Sequence, residues 1–165
     1  MNHESWDDEY LAVIEDRRER LRGDLRRILS VDARFVWEVG SGHGHFLTAY
    51  AAAHPAKICI GVDLVGERIE RAGRKQARAR LTNLHFLRAE ARLFLQTLPP
   101  GPEISEVFVL FPDPWPKSRH HKHRVLQPAF LDAVALRAAP DCRLCFRTEH
   151  RPDLEDARRV IRDSA

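Results

Sequence analysis

The sequence predicts an α/β protein, a mostly parallel sheet with helices on both faces. Three observations carry this expectation. Short apolar runs alternate along the chain with longer, polar stretches of helical period. A glycine-rich turn, E-V-G-S-G-H-G from Glu38 to Gly44, joins the first such run to a helical stretch. A second apolar run ends in an acid, Asp63, 19 residues after Gly44, which leaves room for one crossover helix.

Composition bounds the function. The chain has 165 residues, enough for one domain with a real core. Hydrophobic residues make up 44% and charged residues 31%, as in ordinary soluble domains. No apolar run approaches the roughly 20 residues of a membrane helix. Met1 to Tyr10 is polar and acidic and carries no signal-peptide pattern, so a cytoplasmic protein is expected. The net charge of +3 is mild, yet only four of the 27 basic residues are lysines. Arginine forks match phosphate geometry. A bias towards arginine codons gives the same total, so only local clustering argues for nucleic acid. Cys59, Cys142 and Cys145 are odd in number, which argues against a disulfide framework. Cys142 and Cys145 lie three apart on a strand-like run and so point to opposite faces, against a metal or redox pair. No metal-ligand spacing and no nucleophile elbow stands out.

Taken in order, residues 5 to 29 form a polar helical leader, with acids early and Arg26 and Arg27 late, as a helix dipole prefers. Its Arg17, Arg20 and Arg22 read mainly as a solvated face. The leader, 1 to 33, precedes a domain from 34 to 165. Residues 34 to 39 are the first core strand, and 46 to 54 the helix after the glycine turn. Such a turn brings backbone close to a ligand at a helix N-terminus. Dinucleotide sites use G-x-G-x-x-G. Here the third glycine comes one residue early and His45 takes its place, which disfavours NAD. Residues 57 to 64 are the second strand. An acid at its end, Asp63, suits ribose hydroxyls of either an adenosine cofactor or NAD.

Residues 67 to 80 form a helix on which Arg71, Arg74, Lys75 and Arg78 share a face, read mostly as solvated surface. The third strand, 83 to 89, is followed by Glu90 and a short helix, 91 to 98, ended by Pro99-Pro100-Gly101-Pro102. Strand four, 106 to 111, runs into F-P-D-P-W-P-K-S-R-H-H-K-H-R, from Phe111 to Arg124. Pro112, Pro114 and Pro116 forbid ladder and helix alike, so Asp113 and Trp115 sit on a stiff loop. Lys117, Arg119, Lys122 and Arg124 then form a cationic patch with interleaved histidines. Acid, indole and base in that order predict a small-molecule site adjoining a polyanion site. A helix from 126 to 138, a strand from 142 to 148 and a helix from 153 to 161 complete the chain.

The Phe111–Arg124 segment resembles the signature loop of the tRNA (guanine-N7)-methyltransferase family, F-P-D-P-W, one residue, Lys, then R-H-x-K-R-R. It departs at His123, where the family usually has Arg. E-x-G-x-G-x-G resembles motif I of S-adenosylmethionine-dependent methyltransferases. The resemblance covers about 34 to 155 and implies a Rossmann-like class I fold, S-adenosylmethionine as cofactor and tRNA as partner. It assigns Glu38, Gly40, Gly42, Gly44, Asp63, Glu90 and Asp113 to the cofactor. It assigns Lys117 and Glu149 to the substrate; beside it, Lys117 and Arg119 are expected to anchor phosphates and Asp113 to bridge cofactor and guanine as the catalytic residue. Glu90 stands where the family has Asp. Thr148-Glu149-His150 stands for its T-D-W. The family continues into a final strand pair with a Thr-x-Phe-Glu motif, absent here, so a chain lacking those strands is expected, with a sheet edge uncovered. The activity implied is N7-methylation of a guanosine in the tRNA variable loop. Guanine N7 has a free lone pair and no proton to remove, so alignment matters more than acid–base work. A methyltransferase for another substrate, and a non-catalytic RNA- or cofactor-binding module, are the other readings. Monomer and homodimer are both open.

Overall fold

The computed structural model describes residues 3–113 and 124–163, with only the backbone described for 3–11. Strands β1 (Arg34–Val39), β2 (Ile58–Asp63), β3 (Leu84–Arg88), β4 (Glu103–Leu110) and β5 (Ala138–Arg147) form one sheet. Its order is β3-β2-β1-β4-β5 and every pairing is parallel. The helices are α1 (His3–Ile28), α2 (His45–Ala53), α3 (Gly66–Ala79), α4 (Ala91–Thr97), α5 (Pro128–Ala135) and α6 (Arg151–Asp163). The chain winds outward from β1 to β3, then returns to place β4 on the other side of β1. That reversal between β1 and β4 is where open α/β sheets bind ligands, at the carboxyl ends of the strands. Among the described residues, no helix is long and apolar enough to cross a membrane.

Strand alternation sorts the core into two layers. Phe35, Trp37 and Val39 of β1 enter the larger layer with Leu21, Leu25 and Leu29 from the leader, and with Phe94, Phe130 and Ala157. Trp37 is fully buried and stacks on Phe94 at 4.9 Å with an 18° tilt. Val36, one residue out of phase, enters the smaller layer with Leu47 and Ala51 of α2, Cys59 and Leu84. Glu38 shares the phase of Val36. It is thus a carboxylate placed on a buried sheet face, directly under the glycine turn.

The elements fall within four residues of their sequence positions, and the departure between α5 and β5 is informative. The stripe through Leu126, Phe130 and Val134 predicts a helix to Ala138, but α5 ends at Ala135. The Ile104 amide donates to the Arg137 carbonyl at 2.8 Å, so sheet pairing captures the backbone before the helix can continue. The register then jumps from Ala138 opposite Ile104 to Arg143 opposite Glu106. Pro140 and Asp141 ride in that bulge, where proline's missing donor costs no ladder bond.

Gly44 shows why the turn needs glycine. Its φ is +70°, and a Cβ there would stand 2.5 Å from Phe86 Cζ and 2.8 Å from Ala72 Cβ. The turn is pressed between β3 and α3. Gly40 has φ +69° but a Cβ there meets nothing within 4 Å. Gly44→Ala should therefore destabilise the fold by about 3 kcal/mol and Gly40→Ala by about 1–2 kcal/mol, the second from backbone strain alone. Urea unfolding of both variants against wild type measures the difference.

Candidate active site

The carboxyl ends of the first four strands converge on one cavity of about 570 Å³. Gly40 follows β1, Asp63 ends β2, Glu90 follows β3, and Phe111 to Asp113 follow β4; all border it. Apolar walls come from Val39, Val62, Ala89, Leu126, Phe130 and Phe146. The volume lies within the roughly 300–1,000 Å³ usual for small-ligand sites. Gly40, Asp63, Glu90 and Asp113, four of the residues singled out in the sequence, thus meet at a common hollow.

Asp63 organises it. The Gly42 amide donates to Asp63 Oδ2 at 3.0 Å and the Val65 amide to Oδ1 at 2.8 Å. One side chain thereby ties the glycine turn to the loop that opens α3. The Ser41 amide also donates to the Val62 carbonyl at 2.9 Å, stitching the turn to β2 a second time. Each carboxylate oxygen has a further lone pair for a ligand donor. Arg68 Nη1 approaches Asp63 Oδ2 only to 3.7 Å from a half-exposed position, a weak tie. Glu90 caps α4, with Oε2 accepting from the Leu93 amide at 2.9 Å.

Glu38, Gly42 and Gly44 do not line the cavity. Gly42 acts through its bond to Asp63, and Gly44 through close packing. Glu38 is 4% exposed and its Oε2 has no hydrogen-bond partner among the described residues. Burial, and secondarily the charge of Asp63, push its carboxyl up to about 8. Glu38 is thus a proton-holding acid beneath the turn, beside an acid whose oxygens are both hydrogen-bonded. Asp113 is exposed at the rim. Lys117 and Arg119, with Trp115 and the histidines, lie outside the described residues. Glu149 is exposed after β5 and does not border the cavity.

Two features were not visible in the sequence reading. Phe111 has φ +50° and is 59% exposed on the cavity rim, a bulky residue in a strained conformation of the kind that gathers at functional sites. Its position before Pro112 was the only hint of unusual backbone. The second is a latch. Arg124 closes the cationic run, yet its side chain is only 11% exposed and turns inward. Its Nη2 lies 2.7 Å from Asp153 Oδ1, and Nη1 bonds Asp156, both on α6. His150 Nδ1 approaches Asp153 Oδ1 as well, at 3.1 Å. The last base of the run therefore anchors the loop's end to α6, where Arg124, Asp153 and Asp156 wall the cavity.

A parallel five-stranded core of this order, with a glycine turn after β1 and an acid at the tip of β2, is the Rossmann-like core of the class I S-adenosylmethionine-dependent methyltransferases. Precorrin-6y C5,15-methyltransferase from Geobacter metallireducens superposes with a TM-score of 0.64 at 17% identity, over 90% of this chain and 69% of that one. A family described as "Putative methyltransferase" matches residues 32–164. The tRNA (guanine-N(7)-)-methyltransferase of Halorhodospira halophila is 36% identical over 126 residues, 76% of this chain. That of Listeria monocytogenes is 30% identical over 156 residues, 92% of this chain. The chain belongs to the tRNA (guanine-N(7)-)-methyltransferase family. It spans 54% of the Halorhodospira protein's own length and 72% of the Listeria protein's.

Two outcomes follow from this geometry. The folded state keeps a proton on Glu38 that the unfolded chain gives up near 4.5, so its contribution to stability falls as pH rises from there to about 8. Glu38→Gln should flatten that slope and be more stable than wild type at pH 8 by about 2–4 kcal/mol, read by urea unfolding at pH 5 and 8. Asp153→Ala leaves the mostly enclosed Arg124 with one carboxylate fewer and should cost about 2–3 kcal/mol in the same assay.

Proposed function

We propose that this chain binds S-adenosylmethionine in the cavity and takes part in N7-methylation of a guanosine in tRNA. The observation that carries the reading is the convergence of Gly40, Asp63, Glu90 and Asp113 on one hollow at the strand tips, immediately before a proline-locked cationic segment. The residues present fit the cofactor. Gly40 leaves space that a Cβ would enter, Asp63 keeps lone pairs for ribose hydroxyls, and Glu90 stands where the family meets the adenine end. When bound, the cofactor supplies an electrophilic sulfonium methyl.

The chain's own task is alignment. Asp63 fixes the glycine turn against β2 and so sets how closely backbone approaches the ligand. Apolar Val62, Ala89 and Phe130 exclude water from the deep end. Asp113, on the rim, accepts from the N1–H and exocyclic amine of guanine and holds N7 towards the methyl group. Removal of a proton from N7 is not needed. Lys117 and Arg119 contact tRNA phosphates, and Glu149 approaches the substrate from beyond the cavity. The family relationship to enzymes named for this reaction supports the reading, as does the order of acid, indole and bases after β4. A place in the cytoplasm goes with a tRNA substrate.

The test is methyl transfer from labelled S-adenosylmethionine to unmodified tRNA, with the product read by cleavage at 7-methylguanosine. Wild type should label the variable loop, and Asp113→Ala should lower kcat by about 10²-fold or more. S-adenosylhomocysteine should bind wild type and Asp113→Ala alike, and Asp63→Asn more weakly by about tenfold. S-adenosylhomocysteine binding without any transfer to tRNA by wild type would instead make the chain a cofactor-binding module.

A further inference from the structure

A second depression, of about 520 Å³, lies on the other side of the glycine turn's sequence from the cavity-lining Gly40. It is walled by His43, His45, Arg71, Arg74, Lys75 and Arg78. Every one of these side chains is basic or an imidazole. We propose that this groove is a docking surface for the phosphate backbone of the RNA substrate, separate from the loop that follows β4; the proposal rests on the tRNA reading above.

The groove is built rather than incidental. Residues 71, 74, 75 and 78 form an i, i+3, i+4, i+7 stripe on α3. On the helix's other side Ala72 is fully buried, within contact of the space a Gly44 Cβ would fill. That packing presses α3 against the turn and sets the two histidines beside the stripe. Lys75 Nζ donates to the His43 carbonyl at 3.0 Å and to His45 Nδ1 at 2.9 Å. An ammonium has no lone pair, so Nδ1 is the acceptor and the ring proton sits on Nε2, available as a further donor.

On α1, Arg18, Arg20, Arg22 and Arg27 each pair with an acid three or four residues away. On α6, Arg151 and Arg159 do the same. On α3, only Arg71 has such a partner, Glu67 at 2.5 Å. Among the described residues, Arg74, Lys75 and Arg78 have no ion-pair carboxylate within 4.0 Å. Among the same residues, Arg17 and Arg26 on α1 and Arg158 on α6 also have no carboxylate within 4.0 Å, but only on α3 do three such bases share one stripe. Arg71 with Lys75, and Arg74 with Arg78, are like-charge pairs four apart, an arrangement that weakens a helix. A polyanion laid along the stripe removes that repulsion.

The shape selects the ligand class. The stripe covers about 10 Å of helix, more than one phosphate needs. Its lining side chains are all cationic or imidazole, with no carboxylate among them. Such a surface positions a backbone and reads no sequence. Because one short turn borders both the cavity and the groove, a tRNA with its guanosine at the cavity can rest a second stretch of backbone here.

The experiment is a tRNA-binding titration of wild type, Arg74→Gln/Arg78→Gln and Arg74→Lys/Arg78→Lys between about 50 and 300 mM salt. The glutamine variant should bind about tenfold more weakly near 0.1 M salt, with its log–log salt slope smaller by about 2, equally for different tRNA sequences. The lysine variant should recover most of the loss, and both should bind S-adenosylhomocysteine as wild type does. Equal affinity and slope in the glutamine variant, with wild type still methylating tRNA, would overturn the groove and leave the methylation reading standing. So would loss of inorganic phosphate binding with tRNA affinity unchanged, which would mark a small-anion site only. A wild type that binds no tRNA would overturn the methylation reading, and the groove with it.

Discussion

The structure depends most on one carboxylate. Asp63 spends an oxygen on the Gly42 amide and another on the Val65 amide. A hydrogen bond to a charged group contributes about 1.5–3 kcal/mol. The larger effect is positional: the turn after β1 and the start of α3 lose their independence, and the upper wall of the cavity becomes one piece. The carboxylate is 6% exposed, so its charge is felt strongly nearby. Glu38, pushed towards its protonated form chiefly by its own burial, is pushed further by that charge. Two acids can stand under one turn because only one of them is asked to be ionised.

Around that turn the electrostatics divide. The cavity side gathers five acids, Asp63, Glu90, Asp113, Asp153 and Asp156, against three arginines, Arg68, Arg92 and Arg124. The α3 side gathers Arg71, Arg74, Lys75 and Arg78 with two histidines. Arg124, near the cavity, is drawn into structural service, bonded to α6 rather than held out to solvent. In the α3 groove Arg71 pairs with Glu67, while among the described residues Arg74, Lys75 and Arg78 have no carboxylate within 4.0 Å, and that difference separates the Arg124 anchor from the proposed docking surface.

Much of this was legible in the sequence for physical reasons. β1 and β2 lie centrally with both faces covered, so their residues form unbroken apolar runs ending in Glu38-Val39-Gly40 and in Asp63. Glycines at positive φ leave a mark because few other residues tolerate it, and Gly40, Gly42 and Gly44 all have it. What failed to show was set by long-range contact. The end of α5 was decided by Ile104 on a distant strand. Arg124 read as part of a cationic patch because nothing local reveals that Asp153 and Asp156 come back to meet it. The conformation of Phe111 is likewise held from outside, its amide donating to the Arg147 carbonyl at 2.8 Å.

The ring of Phe86 carries a consequence for how this sequence can drift. It occupies the space of a Cβ at Gly44 and, by 2.8 Å to its Cδ1, at Gly61 as well. Three positions on three different segments are therefore epistatic. Gly61 has no positive φ to defend, so a smaller side chain at 86 would open the way to alanine there, provided Ser41 also yields its 2.9 Å contact. Accepted changes at these sites should arrive in a fixed order, with the aromatic ring lost first.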